Sequence, residues 1–252
     1  MQSVVIDIGN TSTTLGLYDC GKISNVARVP SHLNDPRETI NQLDYYNPSQ
    51  VALACVNPKF QLRWERLLKR NGFDELFWID HTCELGVPLD YPKPEQIGAD
   101  RLANAAAAAA FVGLPTIVCD FGTALTFDIV DARKGYCGGV ICPGLPLMFD
   151  YLAEKTALLP ALKVEVQEEK KMPIIGRSTE EAMRSGALLG YRGMVREVLS
   201  ALQKKIGKRK VHLRATGGHA GWILQGSDIK MKIDYDLTLK GIGRIYEHHV
   251  CR

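Results

Sequence analysis

Two short stretches place a carboxylate, a glycine and hydroxyl or amide side chains close enough to act together. The first is Asp7-Ile8-Gly9-Asn10-Thr11-Ser12-Thr13-Thr14 and the second is Asp120-Phe121-Gly122-Thr123-Ala124. A turn glycine lets the backbone come close to a ligand and leaves its N–H unhindered. Asn10, Thr11, Ser12, Thr13 and Thr123 add donors that suit phosphate oxygens. Asp7 and Asp120 would repel phosphate, but each suits a cation that accompanies phosphate, directly or through water. Taken singly, each stretch reads as an ordinary β-turn, because Asp and Gly are common turn residues. Their repetition changes that reading. Neither is a Walker loop, since no G-x-x-x-x-G-K-S/T occurs and no G-x-G-x-x-G follows a strand.

The elements that must position these turns can be read from hydrophobic period. Strand-like runs fall at residues 4–7, 14–18, 24–29, 51–56 and 75–79, with amphipathic helices near 37–46 and 60–69. Residues 98–112 read as a helix centred on the alanines 105–110, whose small side chains favour helix and close packing. After Gly113-Leu114-Pro115 the pattern restarts. Strands follow at 116–120, 126–130, 139–142 and 212–216, and helices at 145–156, 179–203 and 220–224. The proline-bounded stretch 159–173 reads as an irregular connection, and the last thirty or so residues show no motif. Each restart begins with an apolar strand ending in Asp-x-Gly-Asn/Thr, a tight turn and an alternating second strand. This predicts an α/β chain of two duplicated lobes, residues 1–113 and 114–252, each a mixed sheet flanked by helices, with a cleft between them.

Composition narrows the class. Apolar residues make up 46% and charged residues 23% of 252, an ordinary globular balance that excludes a disordered or fibrous chain. No apolar run approaches the length of a membrane span and no leader pattern opens the sequence, so a cytoplasmic protein without a membrane partner is expected. A net charge of +3 is too mild to argue for nucleic acid. The one basic cluster, Lys204-Lys205-Ile206-Gly207-Lys208-Arg209-Lys210, reads as a solvated loop. The seven cysteines are odd in number and lack C-x-x-C spacing, so reduced thiols are expected. His248, His249 and Cys251 have no suitably spaced fourth ligand and read as a frayed end.

Further segments occur in a fixed order. Gly98-Ala99-Asp100-Arg101 stands between the two turns. Gly138-Gly139-Val140-Ile141-Cys142-Pro143-Gly144, Lys155-Thr156-Ala157-Leu158-Leu159-Pro160 and Gly176-Arg177-Ser178-Thr179 follow the second. The paired turns resemble those of acetate and sugar kinases, heat-shock ATPases and actin, an actin-like ATPase or ribonuclease H-like fold. The ordered set, spanning residues 4 to 220, is similar to that of the type III pantothenate kinases.

That resemblance implies ATP-dependent phosphorylation of pantothenate, the first step towards coenzyme A. It makes the cleft between the lobes a nucleotide cleft, with ATP along Asp7, Ile8, Gly9, Asn10, Thr11, Ser12, Thr13 and Thr14 and against Thr123, and with Asp7 near Mg²⁺. Asp100 matches the base that takes the acceptor's proton; its sequence position also suits a helix start. Arg101 matches the partner of the pantothenate carboxylate, against the alternative of a surface salt bridge. Tyr91, Gly98, Ala99 and Thr179 complete the implied substrate contacts; Tyr91 could instead be a packing anchor and Thr179 a helix cap. Thr179 would come from the second subunit of a homodimer. Asp120 would hold a monovalent cation, K⁺ or NH₄⁺, and Thr216-Gly217-Gly218-His219-Ala220 would face adenosine without a catalytic role for His219. Thr13 departs from some relatives, which carry a longer or charged residue there. The alternatives are a kinase of another small acid or sugar, or an accessory regulatory protein on the same fold.

Overall fold

The computed structural model describes residues 2–32, 50–163, 173–207 and 209–251. The helix expected at 37–46, Lys208 of the basic cluster and residues 164–172 of the irregular connection lie outside them. The strands are β1 (Gln2–Ile8), β2 (Ser12–Asp19), β3 (Lys22–Pro30), β4 (Val51–Cys55), β5 (Leu76–Trp78), β6 (Thr116–Phe121), β7 (Ala124–Asp131), β8 (Gly135–Pro143), β9 (His212–Thr216) and β10 (Lys232–Ile233). The α-helices are α1 (Pro58–Arg70), α2 (Ala99–Ala107), α3 (Leu145–Lys155), α4 (Thr179–Ile206), α5 (Ala220–Leu224) and α6 (Leu237–Val250). Residues Ala108–Val112 extend α2 as a wider, π-helical turn. Among the described residues no helix is long and apolar enough to cross a membrane.

The chain forms two compact units. One comprises Met1–Thr116, Asp128–Gly138 and Asp236–Arg252, the other Ile117–Phe127 and Gly139–Tyr235. The first break falls after Thr116, and two later segments count with the first unit. The first sheet has the order β3-β2-β1-β4-β5. Its first three strands are antiparallel neighbours, and β4 and β5 add in parallel. Val4, Val5 and Ile6 of β1 are all fully buried, which is why this strand reads as a continuous apolar run. Trp64 and Leu68 of α1 join Val4, Ile6, Ile8, Leu15, Val51 and Leu53 in one core cluster. Helix α1 starts where Asn57 accepts the N–H of Lys59, with Pro58 in its first turn.

The sequence did not foretell α6. The expected frayed end is instead a fourteen-residue helix. It buries Leu237, Leu239, Ile242 and Ile245 and packs on α2, β1, β2 and β4. Gly241 and Gly243 obscure its pattern, since each costs about 1 kcal/mol of helix propensity. Tertiary contact explains Gly241: a methyl there would overlap the carbonyl oxygen of Ala103 in α2. Nearby, Thr238 donates to the buried Asn104 at 2.9 Å. His249, expected to fray, lies with its ring 4.4 Å from that of Phe77.

The second sheet has the order β10-β9-β6-β7-β8. β6 and β7 are neighbours joined only by Gly122 and Thr123, a connection too short for anything but an antiparallel pair. β9 and β10 are parallel, so this sheet is mixed as well. Read from β8, its order repeats that of the first sheet. In each, three chain-consecutive strands are followed outward from the earliest by two later ones. The internal duplication is therefore visible in topology. All seven cysteines are free thiols.

Candidate active site

The first turn is built by side chains that hold its backbone. Gly9 donates its N–H to the Ser12 carbonyl at 3.1 Å. Ser31 donates to the Gly9 carbonyl at 2.6 Å and lies 3.0 Å from the Thr13 hydroxyl. The Asn57 amide, at the start of α1, donates to Asn10 at 3.1 Å, and Arg28 donates twice to the Ser12 hydroxyl, at 2.9 and 2.7 Å. Asn10 and Thr11 form the exposed tip, and Thr14 sits directly across the strand pair from Asp7. Ile8 and Thr13 are fully buried, so their side chains face no ligand directly.

A second group of predicted residues lies at the start of α2. Gly98 is the N-cap, in extended conformation, and has no side chain to satisfy the first N–H groups. Asp100 does part of that work: its Oδ1 accepts the Arg101 N–H at 2.8 Å. The anticipated helix-start role is thus present, in a residue that is partly exposed as a whole. A methyl on Gly98 would come within 2.5 Å of the same Asp100 oxygen, so this glycine makes room for the carboxylate. Burial raises the Asp100 pKa, opposed by the N–H and then the charge of Arg101. Ala99 is buried beside them.

The first turn and α2 converge at the end of β4. The Cys55 thiol is pushed up first by burial, and the negative charges of Asp7 and Asp100 both add to the rise. Val56 lies 3.7 Å from the position of a side chain on Gly98. The two carboxylates expected for the cation and for the proton transfer therefore act on one small region.

Arg101 is not a surface residue. Its side chain is 12% exposed, and Nε donates to Asp128 Oδ1 at 2.7 Å, with the Asp128 side chain fully buried. The Tyr136 hydroxyl donates to the same oxygen at 3.0 Å, and the guanidinium carbon stands 5.7 Å from the Tyr136 ring centre. Burial raises the Asp128 pKa to about 6, although Arg101 and Tyr136 both favour its charge. Tyr91 belongs to the same group, its ring 6.0 Å from that of Tyr136. Its loop is pinned to the start of β8, where Tyr136 N–H donates to Pro88 and Asp90 N–H donates to Tyr136, each at 2.9 Å. Asp128 and Tyr136 were missed from sequence. The one available signal was a carboxylate inside the apolar run Leu125-Thr126-Phe127-Asp128-Ile129-Val130.

In the second unit, Asp120 is partly buried at the end of β6, and Gly122 donates its N–H to the Ala124 carbonyl at 3.1 Å. The glycine turn after β9 folds onto it, with His219 N–H donating to the Phe121 carbonyl at 3.1 Å. Gly217 has φ +88°, and a methyl there would lie 2.5 Å from Asp120 Oδ1 and 2.6 Å from the Phe121 nitrogen. Only glycine fits. Thr179 is exposed at the first position of α4, and the cap expected of it is one residue earlier: Ser178 accepts the Glu181 N–H at 3.1 Å. The Glu181 carboxylate in turn accepts the Arg177 N–H at 2.7 Å.

Known proteins are similar to this chain in fold and in sequence. The chain resembles component A of (R)-2-hydroxyglutaryl-CoA dehydratase from Acidaminococcus fermentans in fold, with a TM-score of 0.57 at 13% identity over 100% of both chains. Such a likeness speaks for the actin-like ATPase fold alone. Closer in sequence is a type III pantothenate kinase of Methylacidiphilum infernorum, 41% identical over 97% of this chain and 88% of the relative. Another, from Akkermansia muciniphila, is 50% identical over 66% of this chain and 69% of its own. A family model, type III pantothenate kinase, matches residues 3–201, a span that holds both turns, the α2 start and Thr179. By that match and these relatives, the chain belongs to the type III pantothenate kinases.

Proposed function

We propose that this chain transfers the γ-phosphoryl group of ATP to the primary hydroxyl of pantothenate, the first step of coenzyme A synthesis. The carrying observation is the start of α2: the Asp100 carboxylate, held by the Arg101 N–H, stands next to a buried and oriented guanidinium, Arg101. Asp100 and Asp7 act on one region, so a base and a cation-side carboxylate are together. Phosphoryl transfer is mainly positioning and charge stabilisation, which backbone donors and a few fixed charges can supply. Asp100 would orient the acceptor hydroxyl and take its proton as the bond to phosphorus forms. Burial, by raising its pKa, makes it a better base than an exposed aspartate. Arg101 would pair with the pantothenate carboxylate, with Tyr91, Gly98 and Ala99 shaping the same end; the exposed Asn10–Thr11 tip and Thr123 would donate to phosphates, with Gly9 holding the turn.

The residues present fit the ions. Among the described residues no group of three His, Cys, Asp or Glu could hold a metal alone, so Asp7 would share Mg²⁺ with the phosphates. Mg²⁺ supplies charge neutralisation on the phosphate oxygens. Asp120, a hard oxygen donor hemmed by the backbone of Phe121 and Gly217, suits a monovalent cation such as K⁺ or NH₄⁺. Ile141, Leu147, Tyr151 and Leu189 are large apolar side chains exposed on β8, α3 and α4, and support a homodimer that brings in Thr179. Seven free thiols accord with a reducing cytoplasm. The test is product formation: purified protein with ATP, Mg²⁺ and K⁺ should yield phosphopantothenate and no sugar phosphate from a sugar panel. No product with pantothenate in either K⁺ or NH₄⁺ would overturn the reading.

A further inference from the structure

We propose that Asp128 is a positioning residue for the acceptor, holding Arg101 so that its two terminal amino groups meet the substrate carboxylate. The inference rests on the pantothenate reading above and assigns a role to a residue that lies outside every motif of the sequence. Asp128 enters from β7, on a strand otherwise apolar at that point, and its side chain is fully buried. A buried carboxylate is costly unless paired, so its retention there needs a partner, and Arg101 is that partner at 2.7 Å. The bond uses Nε, on one edge of the guanidinium plane. An incoming carboxylate would then be taken end-on by the two terminal amino groups, which can still form paired hydrogen bonds.

Two further contacts fix the geometry. The Tyr136 hydroxyl donates to the same Asp128 oxygen at 3.0 Å, and the Tyr136 ring lies beneath the guanidinium with 5.7 Å to its centre. Tyr136 thus locks the carboxylate by its hydroxyl and supports Arg101 by its face. Without Asp128, the guanidinium has another anion within electrostatic reach: Asp100 itself acts on Arg101. Asp128 therefore also keeps the acceptor-binding cation from collapsing onto the base.

The experiment compares steady-state constants of the full chain and of Asp128→Asn. The expected result is a pantothenate KM raised by about ten-fold or more, the loss typical of a hydrogen bond to a charged group. The KM for ATP should stay within about two-fold and kcat should fall much less than kcat/KM for pantothenate. Tyr136→Phe keeps the ring and removes only the hydroxyl; it should raise the same KM by a smaller factor, roughly two- to five-fold, and it decides the matter if Asp128→Asn does not fold. A pantothenate KM unchanged in the folded variants would overturn the proposal. So would an equal loss against both substrates, which a merely structural residue would give. Wild-type turnover of pantothenate is the control: its absence sinks the kinase reading, whereas turnover with an unmoved KM sinks this inference alone.

Discussion

At the first turn, between β1 and β2, the tip Asn10–Thr11 is exposed and several side chains reach in to hold it: Ser31, Arg28 and Asn57. At the second, between β6 and β7, two residues suffice, and the neighbour is backbone: Gly217 pressed against Asp120. Both turns keep the same clamp, a glycine N–H donating to the first carbonyl of the next strand at 3.1 Å. Both stand at the same place in a repeated strand order. Duplication has therefore preserved the hairpin and let the surroundings diverge. A tip held by side chains and left exposed suits an approaching phosphate. A carboxylate crowded by main chain would, on the function proposed above, suit a monovalent cation instead.

The largest effect tests whether the chemical step belongs to the first unit. Asp100→Asn should fold normally and lower kcat by roughly 10²–10⁴, the range for loss of a general base; near-normal turnover would break the division of labour. Next come the two turn carboxylates. Asp120→Asn should abolish the dependence on K⁺, read as equal rates with and without the ion, whereas Asp7→Asn should keep that dependence and demand more Mg²⁺. An Asp120→Asn enzyme that still responds to K⁺ would show that the turns do not differ as argued. Gly217→Ala probes the crowding itself. Overpacking of this kind costs about 1–3 kcal/mol, visible in thermal unfolding, with a weaker apparent affinity for K⁺ and no shift in that for pantothenate.

The smallest effect is on stability against pH. Asp128 in the folded chain has its pKa raised from 3.8 to about 6 by burial, so the folded state holds this proton more tightly than the unfolded one. Its contribution is complete below the unfolded value and is lost as pH rises through about 6. Asp100 is raised in the same direction and adds the same sign. Denaturation midpoints should therefore decline between pH 4 and 6 in part through these groups. Asp128→Asn should flatten the decline, and an unchanged slope would show that Asp128 is ionised throughout.

Much of the candidate site was readable because short local patterns encode it. An apolar strand closing on Asp-x-Gly specifies a hairpin by turn chemistry alone, and Gly98-Ala99-Asp100-Arg101 specifies a helix start by its acidic residue. What escaped depends on partners distant in the chain. Asp128 looks like a flaw in a strand until Arg101, twenty-seven residues earlier, is seen beside it. Ser31 and Asn57 are unremarkable polar residues whose meaning lies in what they bind. Helix α6 was hidden because its glycines answer to Ala103 and Tyr18, not to helix propensity. The capping of α4 was misplaced by one residue, since Ser178 and Thr179 are equally suited to a cap and only geometry chooses.

The late return of α6 to the first unit has a consequence for synthesis. Helix α2, which carries Asp100 and Arg101, packs on α6 through Ala103 and Gly241 and through the buried Asn104–Thr238 bond. During translation α2 emerges more than a hundred residues before the partner that covers it. The second unit, continuous apart from the excursion at Asp128–Gly138, can close while the first still waits. A nascent chain cut short before residue 237 would thus carry every motif of the sequence and lack the helix that packs against α2.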